Sequence, residues 1–376
     1  MIGQRTLGVP GRVIALAACL GVLAPMSAAA QRVVEIDDEI ACDACAIETG
    51  PPVTLAPPDE LWFSSLSALR VVRDSEGHYI AAPVEGDEPI AVFGPDGVYR
   101  SSYGRIGGGP GEFASNTPLL IEVGEGDVLF AMDLMNLHTL APRADSSLGQ
   151  ARMPVVPSGN SAVLRSGIAV EATEPTSWNT TVRLVRPDGT IDESVGAFGT
   201  GTDAPESGLR HVLGRSNDHM DLWSAPVRRY ILTRYGPDGE ATTRIERNST
   251  WFRESVAFGA RSRSIGRTAV SGIHQDADGL LWVAVSRPEE SSSPLTLGLS
   301  GRGEVPVDPS LDLNRILNTT VEVIDPVAGQ VIARRDFDER LGFVRTPGDD
   351  VWVHSLRADE FGGFECIVTP LVLQRG

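Results

Sequence analysis

A short turn-and-strand unit recurs along this chain, and its repetition restricts the possible folds strongly. Each copy has an acidic or polar turn, with a glycine in every copy except the one at 217–223, followed by a strand that ends in an aromatic or branched residue. Five clear copies and one degenerate copy, at 158–164, lie along the sequence: 74–81, 124–131, 158–164, 217–223, 276–284 and 347–353. The first two turn glycines, Gly77 and Gly126, are 49 residues apart, close to the ~40–50 residues of one propeller blade.

A second unit, in which a Pro-Asp-Gly turn joins two strands, follows several of these copies. It lies at 94–97, 186–189 and 236–239, with a looser version at 325–329. Proline presets the second position of a type I turn, and glycine takes the left-handed position that closes the hairpin. Two hairpins per repeat make a four-stranded sheet. Because hardly any helical periodicity separates the strands, the sequence predicts an all-β fold, a six-bladed β-propeller of four-stranded antiparallel blades.

The N-terminal 30 residues are typical of an export signal. Arg5 and Arg12 precede an apolar stretch at 13–23, and small residues follow up to Ala30. The stretch is too short for a permanent membrane anchor. We therefore expect a signal peptide at 1–30 with cleavage after Ala30, and a periplasmic or secreted protein. The alternative is an outer-membrane lipoprotein, since the residues before Cys19 also fit a lipid-modification site.

We divide the remainder into an N-terminal segment at 31–52 and a propeller at 53–376. A polar insertion at about 286–315, with a possible helix after Asp308, lengthens one blade. No further apolar run is long enough to span a membrane. The prediction is therefore a protein without an integral membrane span.

The charge of the chain restricts its partners. The net charge of −18 becomes −20 once the two arginines of the signal are removed. Such a field repels phosphate backbones and anionic lipid, which argues against nucleic-acid binding. All 32 basic residues are arginine, which excludes a P-loop lysine, a Schiff-base lysine and Ser-Lys catalysis. We expect a protein or small-molecule ligand at a propeller face.

A Cys-x-x-Cys motif at Cys42 and Cys45 is the sharpest local pattern in the mature chain. No histidine follows for haem attachment, and no second pair completes a zinc site. In an oxidising compartment the motif predicts a structural disulfide, either within itself or with Cys366. Metal binding and redox activity are the alternatives.

The glycine-rich stretch at 104–113 resembles the inter-blade loop of NHL-type propellers, which ends in Pro-Gly-Glu/Gln-Phe. The residues that carry this resemblance are Gly107, Gly109, Pro110, Gly111, Glu112 and Phe113. The segment at 133–138 resembles the Asp-x-x-Asn segment of the same repeat. The chain is also similar to TolB-like propellers and to a group of exported bacterial six-bladed propellers with an early Cys-x-x-Cys. The resemblance covers about residues 60–375 and implies the fold, whereas propellers serve many functions.

Propeller rings are commonly closed by strands from opposite ends of the chain. The early strand candidate at 53–55 and the last strand pattern at 364–373 fit such a closure. We therefore expect Cys42 or Cys45 to bond Cys366 and to fix the closure covalently.

Candidate catalytic groups are sparse. His138, His211 and His274 fall in three different repeats, which suggests a metal triad, but their phases relative to the strands place them at different depths. No Gly-x-Ser-x-Gly or His-Glu-x-x-His motif occurs. We assign no catalytic residue, cofactor or metal ligand. The sequence predicts an exported envelope propeller that acts as a ligand- or protein-binding scaffold. The alternative is a metal-assisted lactonase, lyase or hydrolase at the mouth of the central channel.

Overall fold

The computed structural model describes residues 31–58, 61–63, 69–84, 88–109, 112–114, 119–134, 136–142, 146–173, 180–193, 197–198, 210–253, 263–265, 268–288, 295–297, 317–358 and 364–376. Several predicted features lie outside this part: Cys19, Ala30, Pro110, Gly111 and most of the insertion at 286–315, with Asp308.

Three strands precede the first blade: β1 (Arg32–Ile36), β2 (Ala46–Thr49) and β3 (Val53–Leu55). Blade 1 contains β4 (Arg70–Arg73), β5 (Tyr79–Ala82), β6 (Ile90–Phe93) and β7 (Tyr99–Tyr103). Blade 2 contains β8 (Leu119–Val123), β9 (Leu129–Asp133), β10 (Asn136–Leu140) and β11 (Ser147–Arg152). Blade 3 contains β12 (Val156–Leu164), β13 (Gly167–Thr173), β14 (Thr180–Val185) and β15 (Ala197–Phe198).

Blade 4 contains β16 (His211–Arg215), β17 (Leu222–Pro226), β18 (Ile231–Tyr235) and β19 (Ala241–Arg247). Between blades 4 and 5 comes β20 (Arg263–Ile265), which pairs with β23 (Leu295–Leu297). Blade 5 contains β21 (Ala269–Gln275), β22 (Leu281–Pro288), β24 (Leu317–Asp325) and β25 (Gln330–Phe337). Blade 6 contains β26 (Gly342–Phe343), β27 (Val351–Ala358) and β28 (Phe364–Gln374), with β2 and β3 on its outer edge. The predicted all-β fold of six four-stranded antiparallel blades is confirmed.

The repeated turns join the first and second strands of five blades, and four of these turns contain a glycine. In blade 5, for example, the Gly279 N–H donates to the Asp276 carbonyl at 3.0 Å, and Gly279 has a φ of 82°, which glycine adopts without steric cost. The degenerate copy at 158–164 was wrongly interpreted as a turn. Its residues lie in β12, and Gly159 is needed there because Glu171 leaves no room for a side chain.

Six apolar clusters hold the ring together, one between each pair of neighbouring blades. Trp223 lies between blades 4 and 5, Trp282 between blades 5 and 6, and Trp352 at the edge of the cluster between blades 6 and 1. These tryptophans occupy equivalent positions of three repeats and pack sheet against sheet. Each blade therefore buries faces that it could not bury alone.

The innermost strands β4, β8, β12, β16, β21 and β26 contact one another in succession around the central channel. Arg345, just beyond β26, completes the circle by a parallel bridge to Val72 of β4. Its N–H donates to the Val71 carbonyl at 2.9 Å. We call the end of the channel at which the innermost strands begin the channel entrance.

The chain's N-terminal residues form a belt along the outer edges of blades 4, 5 and 6. We define this N-terminal belt as residues 31–55. Its strand β1 runs parallel to β19 of blade 4, and Ile40 bridges Val331 of blade 5. Next, β2 pairs with β28 at Leu371–Gln374, and β3 pairs with β28 at Cys366–Val368. The outer strand of the last blade thus comes from the N-terminal belt.

Cys42 is bonded to Cys45 within the motif, and Cys366 is a buried free thiol. The expected bridge from this motif to Cys366 is therefore wrong. Cys45 precedes Ala46, which lies opposite Gln374, whereas Cys366 lies opposite Leu55. Eight residues of extended strand separate the two positions along β28, roughly 25 Å. The belt closes the ring by strand pairing without a covalent bond to blade 6.

Candidate functional site

Three arginines from three blades lie at the channel entrance. Arg70 begins β4, Arg210 immediately precedes β16, and Arg340 lies two residues before β26. Burial and the positive charges of Arg345, Arg340 and Arg210 together lower the pKa of Arg70 to about 10, although Glu122 acts in the opposite direction. These guanidinium groups are therefore close enough to repel one another in a partly desolvated space.

The entrance arginines differ in how far their donors are used. Arg70 donates to the Leu69 carbonyl at 3.1 Å and, across the channel, to the Gly159 carbonyl at 3.2 Å. These bonds use two of the five N–H donors of a guanidinium. Arg340 is half-buried, burial lowers its pKa, and it has no hydrogen-bond or ion-pair partner among the described residues. The entrance therefore offers guanidinium N–H donors that have no acceptor among the described residues.

One buried carboxylate accompanies these arginines. Glu171 of β13 is fully buried and accepts a hydrogen bond from the His211 backbone N–H at 2.7 Å. Burial raises its pKa, while the His211 N–H and the charges of Arg210 and Arg70 act against this rise. Three arginines and one glutamate leave the entrance with an excess of two positive charges. This is the reverse of the net charge of the chain, which is −18.

A second layer of charged groups lies deeper in the channel, and its members bond to one another and to the blades. Arg345 donates to the Leu213 carbonyl at 3.0 Å and lies 3.8 Å from the Glu122 carboxylate. Arg215 donates to the Thr346 carbonyl and, at 3.3 Å, to the Gly348 carbonyl. These bonds connect blade 4 to blade 6, so the deeper layer braces the ring.

Little space remains within the deeper layer. The cavity beside Glu122, Arg215, His274 and Arg345 has a volume of about 20 Å³, room for about one water molecule. A ligand larger than water does not fit this cavity.

Histidines near the channel are uncharged at neutral pH. His354 of β27 is 3% exposed, and burial, followed by the charge of Arg70, lowers its pKa to about 3. Its Nδ1 has no hydrogen-bond partner among the described residues. Burial likewise lowers the pKa of His274 to about 4. The positive charge of the channel thus comes from its arginines.

The three histidines considered as a metal triad lie in separate environments. His138 is buried beside Asp133, His211 contacts the Ser224 hydroxyl at 2.9 Å, and His274 contacts the Asp349 carbonyl at 3.3 Å. Within the described ranges, no group of three or more His, Cys, Asp or Glu side chains is arranged to hold a metal ion.

The glycine-rich loop connects blades 1 and 2. In its described part, the Glu112 carboxylate accepts a hydrogen bond from the Gly109 N–H at 2.7 Å and pairs with Arg105. Phe113 is fully buried, and its ring lies 4.4 Å from that of His138. Gly107 donates to the Phe113 carbonyl at 2.9 Å. These contacts anchor the loop to the fold and do not extend to the channel entrance.

A larger cavity of about 780 Å³ lies among the turns between first and second strands, at the end opposite the entrance. Two of its carboxylates are already engaged, since Asp127 accepts hydrogen bonds from Ser75 and Asp218 accepts one from Ser216.

No protein-family model and no curated protein matches the sequence. Among solved structures, the chain is similar to a Bacteroides fragilis protein described by its name as exported. The two share 10% sequence identity with a TM-score of 0.51, over 90% of this chain and 99% of the other. Regucalcin from Agrobacterium tumefaciens, a calcium-binding protein, gives 12% identity and a TM-score of 0.46, over 91% and 97% of the two chains.

At these identities the comparisons define the fold, and the protein is a six-bladed β-propeller. None of the helices in the described ranges has the length and apolar character needed to cross a membrane.

Proposed function

We propose that the protein is an exported propeller of the cell envelope that binds a small ligand at the channel entrance. The observation that carries this proposal is the half-buried Arg340 guanidinium, which has no acceptor in the described part of the chain. Desolvated donors without acceptors cost folding free energy. Such a cost is typical of binding sites, where the ligand supplies the missing acceptors.

The two charged layers of the channel have different roles. Ring bracing accounts for Arg215 and Arg345, because the donors of each are bonded to a carbonyl of another blade. It does not account for Arg340. A ligand at the entrance does so.

Export is supported by the predicted signal at 1–30 and by the similarity to a protein described as exported. The disulfide between Cys42 and Cys45 is consistent with an oxidising compartment. The loop at 104–113 supports placing the chain among NHL-like propellers. We assign the binding role to the ring and no reaction to its residues.

A thermal-shift screen of the exported protein tests this proposal. We expect at least one class in a panel of neutral sugars, amino acids, sugar acids, dicarboxylates and phosphate esters to raise Tm by several degrees, because a ligand that binds only the folded state stabilises it. Hydrogen exchange measured by mass spectrometry should then slow at 69–73 and 210–215, with little change in the outer strand β11. A panel without any stabilising compound, or protection confined to outer strands, would contradict the proposal.

A further inference from the structure

We infer that the ligand is a small oxyanion with two negative charges, held between Arg70 and Arg340 at the channel entrance. The inference rests on the proposed function and names the chemical class of the ligand. Dicarboxylates, sulfate and inorganic phosphate belong to this class.

The charge of the entrance sets the charge of the ligand. Arg70 and Arg340 contribute two positive charges, and neither forms an ion pair among the described residues. The neutral His354 does not cancel these two charges. A dianion neutralises them, relieves the mutual repulsion of the arginines and replaces the solvent that burial has removed from them. A cation or a neutral sugar would not neutralise the positive charge or relieve the repulsion.

The chemistry of the donors selects oxyanions among the anions. A guanidinium presents a planar set of N–H donors that matches two oxygens of a carboxylate, sulfate or phosphate. Among the described residues, Arg70 has three N–H donors not engaged in its two hydrogen bonds, and Arg340 has all five. Together they can bind oxygens on both sides of one small ligand.

The surroundings of the entrance restrict the ligand to a small molecule. The cavity in the deeper layer around Glu122 and Arg345 has room for about one water molecule, so a polymer chain does not fit there. The chain as a whole is strongly acidic, with a net charge of −18, and repels extended polyanions such as nucleic acids. A compact dianion needs only the local positive field of the entrance.

Isothermal titration of the exported protein with sodium sulfate, inorganic phosphate, malonate and glucose tests the inference. We expect at least one dianion to bind and glucose not to bind. Arg340→Gln should weaken the dianion at least tenfold, because it removes one charge and a set of donors, whereas Arg340→Lys should lose less. The matched control is Arg100→Gln, which removes the same charge from an exposed pair with Asp96 on the outer edge of blade 1. It should leave the affinity unchanged.

The possible outcomes separate this inference from the proposed function. Preference for malonate indicates an organic acid, and preference for phosphate or sulfate indicates an inorganic oxyanion or its ester; both support the inference. Equal anion binding by the Arg340 and Arg100 variants would mean surface binding only and would overturn it. A neutral compound from the screen that binds at the entrance with unchanged affinity in Arg340→Gln would overturn the inference and leave the proposed function intact. The absence of any ligand would overturn both.

Discussion

Replacing Leu55 by alanine is expected to lower the free energy of unfolding by about 3 kcal/mol, as large-to-small substitutions in packed cores do. Leu55 lies in β3 of the N-terminal belt and is fully buried in the cluster between blades 6 and 1. It pairs with Cys366 in the strand that closes the ring. The substitution therefore removes apolar contacts where the N-terminal belt meets the last strand of the chain. Urea unfolding followed by tryptophan fluorescence measures the loss.

Val372→Ala is the matched control for this substitution, because it lies on β28 beside β2 and is 45% exposed. We expect it to change the unfolding free energy by less than about 0.5 kcal/mol, as is usual for exposed positions. Similar losses in the two variants would show that closure by the belt does not stabilise the ring.

Replacing Glu322 by glutamine is expected to cost about 3 kcal/mol or more, because it breaks a buried ion pair from one side. Glu322 of β24 and Arg247 of β19 are both fully buried and lie 2.9 Å apart. The same carboxylate accepts hydrogen bonds from the Tyr230 hydroxyl at 2.6 Å and from Arg334 at 2.8 Å. The substitution leaves Arg247 buried with only the partly exposed carboxylate of Asp38, 2.8 Å away, as a charged partner.

This network connects blade 4, blade 5 and the belt, so its loss should destabilise the contacts among all three. The pKa of Asp38 supports the connection: burial acts to raise it, but hydrogen bonds from Thr250 and the charge of Arg247 lower it to about 2. Asp96→Asn provides the control, since it breaks an exposed pair with Arg100, and such pairs contribute little. A loss in Glu322→Gln no larger than that of the control would contradict the assignment of the network as an inter-blade brace.

The fold could be predicted from the sequence because its signals are local. Each Pro-Asp-Gly or glycine turn specifies its own hairpin within a few residues, and Gly279 adopts the left-handed conformation that such a turn requires. The one misplaced repeat, at 158–164, contains a glycine that is required by packing against Glu171 and not by a turn. Sequence composition alone does not distinguish these two reasons for glycine.

The candidate site could not be predicted in the same way. Its arginines, at positions 70, 210 and 340, are far apart in sequence and meet only because three innermost strands begin at one end of the channel. A signal was present, since each of the three lies at or just before the first strand of a repeat. The predicted bridge to Cys366 failed for a related reason: β2, which follows the Cys-x-x-Cys motif, pairs with the strand that contains Cys366, but the register separates the cysteines.

The unfolding free energy of Arg340→Gln, measured without added anions, tests most directly whether the entrance arginines serve a ligand. Burial lowers the pKa of Arg340, so the folded state disfavours the charged guanidinium, and this cost persists at neutral pH. If the residue serves a ligand, removing its charge should leave the stability unchanged or raise it by about 1 kcal/mol. A loss of more than about 1 kcal/mol would mean that Arg340 braces the ring, and would contradict its assignment to a binding site.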